Sequence, residues 1–201
     1  MKVKFIGKER CRKCAMPMGP YSGPQDECSY CRGADLRFRG ATAPCRYDGV
    51  ARELIHAFKY RNATFLGEAF AELMIRDLAA TDIVREVGLV MAVPLHWQRQ
   101  AKRGYNQAEV LAERVARQNG LPTAFDNLVR VKNTPTQTAR TRAERQENLR
   151  GAFAVRRPNQ VDGRKILLCD DVMTTGATAS ECARVLREAG AKAVYVSVAA
   201  R

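Results

Sequence analysis

The chain has 201 residues, 46% of them hydrophobic, and a formal charge of +13. That is room for one ordinary domain plus a small module, with enough apolar content for a buried core. No run approaches the ~20 apolar residues of a membrane-spanning helix, and residues 1–10 lack the apolar segment of a secretory leader, so the expectation is a soluble, cytoplasmic protein.

The positive surplus fits a solvated basic surface or a polyanionic partner, either a phosphorylated small molecule or nucleic acid. It is clustered, at Arg99, Lys102 and Arg103 and again at Arg140, Arg142, Arg145 and Arg150, which favours a site.

Residues 1–45 are rich in Cys, Gly, Pro and Arg and poor in aliphatics. Such a segment cannot build its own core and needs another fastening. Cys11-x-x-Cys14 and Cys28-x-x-Cys31 lie thirteen residues apart. Each pair is one tight knuckle, and two knuckles complete a tetrahedral set of thiolates. The expectation is a zinc ribbon with structural Zn2+ on Cys11, Cys14, Cys28 and Cys31. Four thiolates close the coordination sphere, so this metal folds the module and does not catalyse. Seven cysteines is an odd number, which argues against a disulfide framework, and Cys45 is left without a role. Contact with nucleic acid, scaffolding, or covering a neighbouring domain all remain open for the module.

From Arg46 onward, helical and strand patterns alternate. "GVARELIHAFKY" and "FLGEAFAELMIRDLA" space apolar residues along one helical face. "GLVMAVPL" is a short buried strand, and "QAEVLAERVARQNG" is a helix closed by Gly120. "NLVRVK" and "KILLCD" are further strands, "TASECARVLREAG" is a helix closed by Gly190, and "KAVYVSVAA" is the last strand. Apolar strands alternating with helices predict an α/β domain over residues 46–201, a parallel sheet with helices on both faces. Residues 133–148 form the most polar stretch, a loop long enough to be functional or disordered. His56 and His96 are single and unpaired, and surface or core roles suit both.

"KILLCDDVMTTGATASE" reads as strand, turn and helix. It sets Asp170 and Asp171 at the carboxyl end of a buried strand, where ligands bind in an open parallel sheet. Thr174, Thr175, Gly176, Ala177 and Thr178 make the turn into the helix. Free N–H groups and the helix dipole there suit a phosphate, and Gly176 permits close approach. The two carboxylates would repel that phosphate. As pure acceptors they suit vicinal sugar hydroxyls instead, with a divalent cation to soften the repulsion. One ligand meets every demand, a ribose 5-phosphate whose 2- and 3-hydroxyls meet Asp170 and Asp171.

An apolar strand, two acids and Thr-Thr-Gly-Ala-Thr resembles the phosphoribosyl pyrophosphate (PRPP) motif of type I phosphoribosyltransferases. "AVPLHWQRQAKRGYNQAEVLA" (residues 92–112) is similar to the signature of the ComF (competence protein F) family. "RTRAERQENLRGAF" (residues 140–153), "FKY" (residues 58–60) and the cysteine module fit the same family in the same order. The resemblance implies a type I phosphoribosyltransferase-like fold that binds PRPP with Mg2+. It sets Arg99, Arg103 and Gly104 in a pyrophosphate loop after the strand at residues 90–93. Residues 133–148 would be a flexible loop, bringing Arg140, Arg142 and Arg145 to the leaving pyrophosphate. Asp170, Asp171, Arg103 and Arg145 would carry any catalysis, in which a nitrogen nucleophile displaces pyrophosphate from the anomeric carbon. No segment plainly reads an acceptor, and a hood over one would have to come from the N-terminal part. The alternative is a non-catalytic competence factor for DNA uptake, binding single-stranded DNA and partner competence proteins. Trp97 and Tyr105, flanking the first arginine cluster, offer stacking surfaces for it.

Overall fold

The computed structural model describes residues 2–19, 27–61, 63–133 and 142–201, leaving out the side chains of Lys102, Arg142, Ala143, Arg145 and Gln146. The elements run α1 (Ser29–Arg32), β1 (Gly40–Thr42), α2 (Gly49–Tyr60), α3 (Phe65–Ala79), α4 (Ile83–Glu86), β2 (Leu89–Ala92), α5 (Trp97–Arg103) and α6 (Gln107–Asn119). They continue with β3 (Leu128–Arg130), α7 (Arg142–Leu149), β4 (Phe153–Val155), β5 (Lys165–Val172), α8 (Ala177–Glu188) and β6 (Ala193–Ala200). No helix among the described residues is long and apolar enough to cross a membrane.

Four strands form one parallel sheet in the order β1-β6-β5-β2. All of β6 is buried, and β5 is buried from Ile166 to Cys169. Strands buried on both faces need helices on both faces. Ile166, Leu167 and Leu168 are fully buried, each contributing about 2 kcal/mol of transfer free energy. From β2 the chain moves outward through α6 to Thr123, which bridges in parallel to Val90. From β5 it moves the other way, through α8 to β6. Right-handed crossovers therefore set α6 and α8 on opposite faces. The order reverses between β2 and β5, and ligands bind where the strands' carboxyl ends face such a reversal.

Local chemistry sets the helix ends. Asn106 caps α6, its side-chain oxygen accepting from the Ala108 N–H at 3.1 Å, and Gly120 closes that helix at φ +62°. The α/β class holds, but several elements depart from the sequence reading. "NLVRVK" contributes β3, which pairs antiparallel with β4 in a separate two-stranded ribbon. The segment after β2, expected as an open loop, is helix α5, and Gly104 ends it at φ +81°. Part of the polar stretch 133–148 is helix α7. The sheet also takes its edge strand from Gly40–Thr42, inside the segment expected as the cysteine module. The backbone of Cys45 bridges both Phe5 and Ala200, and its buried thiol is pushed up to about 11 by burial, so Cys45 is a joint between module and sheet.

Candidate functional site

The sheet register fixes where the acids stand. Ala92, the last residue of β2, pairs with Cys169, so Asp170 and Asp171 extend past it at the point of reversal. Asp170 is half-buried and Asp171 is buried. Asp170 Oδ1 accepts the Asp171 N–H at 2.8 Å. Burial first, and the Asp171 carboxylate second, push Asp170 up to about 8.

Asp171 is not open to a ligand alone. Lys59 Nζ lies 2.8 Å from its Oδ1, with both side chains mostly buried. Burial opposes the Lys59 ammonium, yet Asp171 and then Asp170 hold its pKa above the ordinary lysine value. Asp171 is thus ion-paired within the protein, because two adjacent carboxylates at a buried strand end require a cation. Lys59 supplies it from the last turn of α2. Arg130, on β3, is a second cation within electrostatic reach of Asp170; burial and the nearby Arg99 guanidinium lower its pKa. Neither Lys59 nor Arg130 was assigned a role from sequence. The signal for Lys59 was present, since an Asp-Asp pair needs a counter-charge and "FKY" holds a lysine between two aromatics. Arg130 had no comparable signal.

The turn after β5 is formed as expected. Thr174 is exposed, Thr175 half-buried, Gly176 sits at φ +73°, and Ala177 and Thr178 open α8. The Ala177 N–H donates to Thr175 Oγ1 at 3.4 Å. Gly176 is also packed: a Cβ there would lie 3.1 Å from Leu36 Cδ2. Leu36 and Phe38, leading into β1, thus form the floor of the turn. Ser180 fastens this floor to α8, donating to the Asp35 carbonyl at 2.8 Å and accepting from the Arg37 N–H at 3.0 Å.

Across the reversal, Arg99 and Arg103 ride on α5. Arg103 Nη2 donates to Tyr60 Oη at 2.8 Å, its guanidinium lies 4.7 Å from that ring's centroid, and Nη1 reaches Gln107 at 3.1 Å. The Tyr105 hydroxyl donates to the Phe58 carbonyl beside Lys59. Asn106 Nδ2 holds the Val93 carbonyl at 3.1 Å. The run Arg103–Gly104–Tyr105–Asn106–Gln107 therefore ties α2, β2 and α6 around the acid pair. His96 caps α5, its Nδ1 accepting from the Gln98 N–H at 3.4 Å, and the His56 ring lies tilted against Tyr60. Arg140 lies outside the described residues. Arg142 and Arg145 are placed by the α7 backbone, and their side chains lie outside the description.

The four module cysteines converge, all buried, with Sγ atoms within 4.8 Å of one another. Cys11–Cys31, Cys14–Cys28 and Cys28–Cys31 separations are 3.6, 3.7 and 3.8 Å. Thiolates at ~2.3 Å from one tetrahedral Zn2+ stand about 3.8 Å apart. The donor set fits such an ion. Burial pushes the Cys14 and Cys31 thiols above the ordinary value, and a bound cation reverses that tendency.

The phosphoribosyl transferase domain model matches residues 105–201. Competence protein F of Haemophilus influenzae is 34% identical over 147 residues, covering 71% of this chain and 64% of that protein. Competence protein ComFC of Bacillus subtilis is 30% identical over 202 aligned residues, covering 98% of this chain and 78% of its own length. Among solved structures, the glutamine PRPP amidotransferase from B. subtilis, complexed with ADP and GMP, superposes on 66% of this chain and 25% of its own. Identity there is 19% and the TM-score 0.44, a superposition too loose to carry an argument.

Proposed function

The chain belongs to the ComF family, and from that premise we propose that it binds PRPP and acts as a phosphoribosyltransferase-like protein on an acceptor still to be found. The carrying observation is the juxtaposition at one sheet reversal of a diacid and a glycine turn into a helix, with cations on α2, α5 and β3 around them. The amides of residues 174–178 hold the 5-phosphate. Asp170 and Asp171 accept from the 2- and 3-hydroxyls, with Lys59 paired to Asp171 and orienting it. Arg99, Arg103 and the α7 arginines Arg142 and Arg145 serve the pyrophosphate, and Arg140 belongs to the same segment. Mg2+, when bound, neutralises pyrophosphate charge, and the ligand's own oxygens and water make up most of its sphere. The side chains orient the anomeric carbon and stabilise charge on the leaving group, with little acid–base work. Calorimetry with PRPP and Mg2+ tests this: wild type binds, and Asp170→Asn with Asp171→Asn abolishes the heat. Equal binding by that variant would contradict the assignment.

One observation favours a second reading, in which the chain handles single-stranded DNA. A cavity of about 790 Å³ is lined by Arg37, Lys132, Arg150 and Arg184 together with Glu147 and Glu188, and an adjoining one of about 500 Å³, which shares Glu188, adds Lys13, Arg39 and Arg187. The combined groove runs from the first cysteine knuckle across α8, away from the acid pair. Oligonucleotide binding in a salt series separates the readings, because a phosphate-tracking groove loses affinity steeply with salt.

A further inference from the structure

Behind the phosphate turn stands a side chain that no motif marks. Arg201 Nη1 donates to the Met173 carbonyl at 2.9 Å and also to the Thr174 carbonyl. A planar trans peptide points its C=O and N–H in opposite directions. Holding these two carbonyls therefore turns the N–H groups of Thr174 and Thr175 the other way. Neither N–H donates to another group among the described residues. The backbone of Arg201 is itself fixed on both sides, its N–H donating to Cys45 and its carbonyl accepting from Tyr47.

The guanidinium also lies 5.0 Å from the centroid of the Tyr30 ring. Tyr30 stands inside the second cysteine knuckle, between Cys28 and Cys31, on the short helix α1. A continuous path thus runs from the thiol cluster through Tyr30 and Arg201 to two peptides whose other faces present amides. Leu36 under Gly176 is a second contact from the same segment.

We propose that Arg201 and Tyr30 are positioning residues that hold the 5-phosphate turn in its binding conformation, so that the four-cysteine site sets phosphate affinity without touching the ligand. The proposal rests on the PRPP reading above. A turn that holds its binding shape only part of the time loses apparent affinity by that fraction. The loss must fall on ligands with a 5-phosphate and spare those without one.

Calorimetry with ribose 5-phosphate, PRPP and magnesium pyrophosphate tests it on the zinc-loaded protein. Arg201→Gln weakens ribose 5-phosphate and PRPP by about tenfold each and leaves pyrophosphate unchanged, with zinc content and Tm retained. Arg201→Lys recovers most of the loss. Tyr30→Leu weakens the two sugar phosphates about threefold, and Tyr30→Phe binds as wild type, because the ring and not the hydroxyl supports the cation. Stripping zinc from wild type lowers ribose 5-phosphate affinity, and stripping it from Arg201→Gln lowers it by a smaller factor, because only the Leu36 contact is then left to lose. Wild type that binds neither sugar phosphate overturns the ligand reading itself. Wild type that binds beside an Arg201→Gln variant of equal affinity overturns the positioning role. So does a loss that extends equally to pyrophosphate and comes with a lowered Tm.

Discussion

Two clusters of acidic groups in this molecule meet the same problem in different ways. In the module, four thiols are brought within 4.8 Å in a buried shell. At the end of β5, two carboxylates share a strand end with a lysine 2.8 Å from one of them and an arginine in reach of the other. The thiol cluster is closed, and its geometry fits one tetrahedral ion that would settle its charge. The diacid is balanced only in part, and Asp170 remains far above the ordinary carboxylate range. The difference is between a closed donor set that fits a single ion and an acid pair whose charge the protein balances only in part.

The largest test of the contrast is to break the closed cluster. Cys28→Ser should lose zinc by metal analysis and lower Tm by more than ~10 °C, because metal binding is folding free energy for such a module. A melting curve unchanged from wild type would remove the structural role. Next, Lys59→Met leaves Asp171 buried without its cation. It should destabilise the protein by about 3 kcal/mol in urea titration, since removing one partner strands the other charge. A cost under ~1 kcal/mol would mean that solvent already balances the acid.

The pH dependence sharpens the same point. Asp170 is raised to about 8, so the folded protein holds a proton that the unfolded chain releases near 4. Its contribution to stability is therefore present below about pH 4, falls as pH rises from there to about 8, and is flat beyond. PRPP affinity should move the opposite way, rising as pH passes up through about 8 and the carboxylate forms. Asp170→Asn should flatten the stability slope. The smallest effect is at the floor of the turn. Ser180→Ala leaves the Arg37 N–H without its acceptor, and a cost of about 1 kcal/mol is expected in the same titration.

Much of this was legible in the sequence, and the reasons differ by residue. The cysteine knuckles and the Asp-Asp-x-x-Thr-Thr-Gly turn are local in sequence, so spacing alone reveals them. The β5 and β6 strands are legible because burial on both faces leaves continuous apolar runs. Lys59, Arg130 and Arg201 were not found, since each reaches the site from an element distant in sequence. The helical form of residues 97–103 was also missed. Its charged, non-amphipathic run gives no periodicity, and the His96 cap that starts it is an uncommon one. β1 is three residues long, too short for any alternating pattern to register.

The central claim is that main-chain amides after β5 hold a sugar monophosphate. Amide nitrogen–proton NMR shifts, followed while ribose 5-phosphate is added, test it directly. The account predicts saturable shifts at Thr174, Thr175, Gly176, Ala177 and Thr178, with Lys59 and the acid pair responding alongside. Shifts confined to the basic groove across α8, with the turn silent, would contradict it.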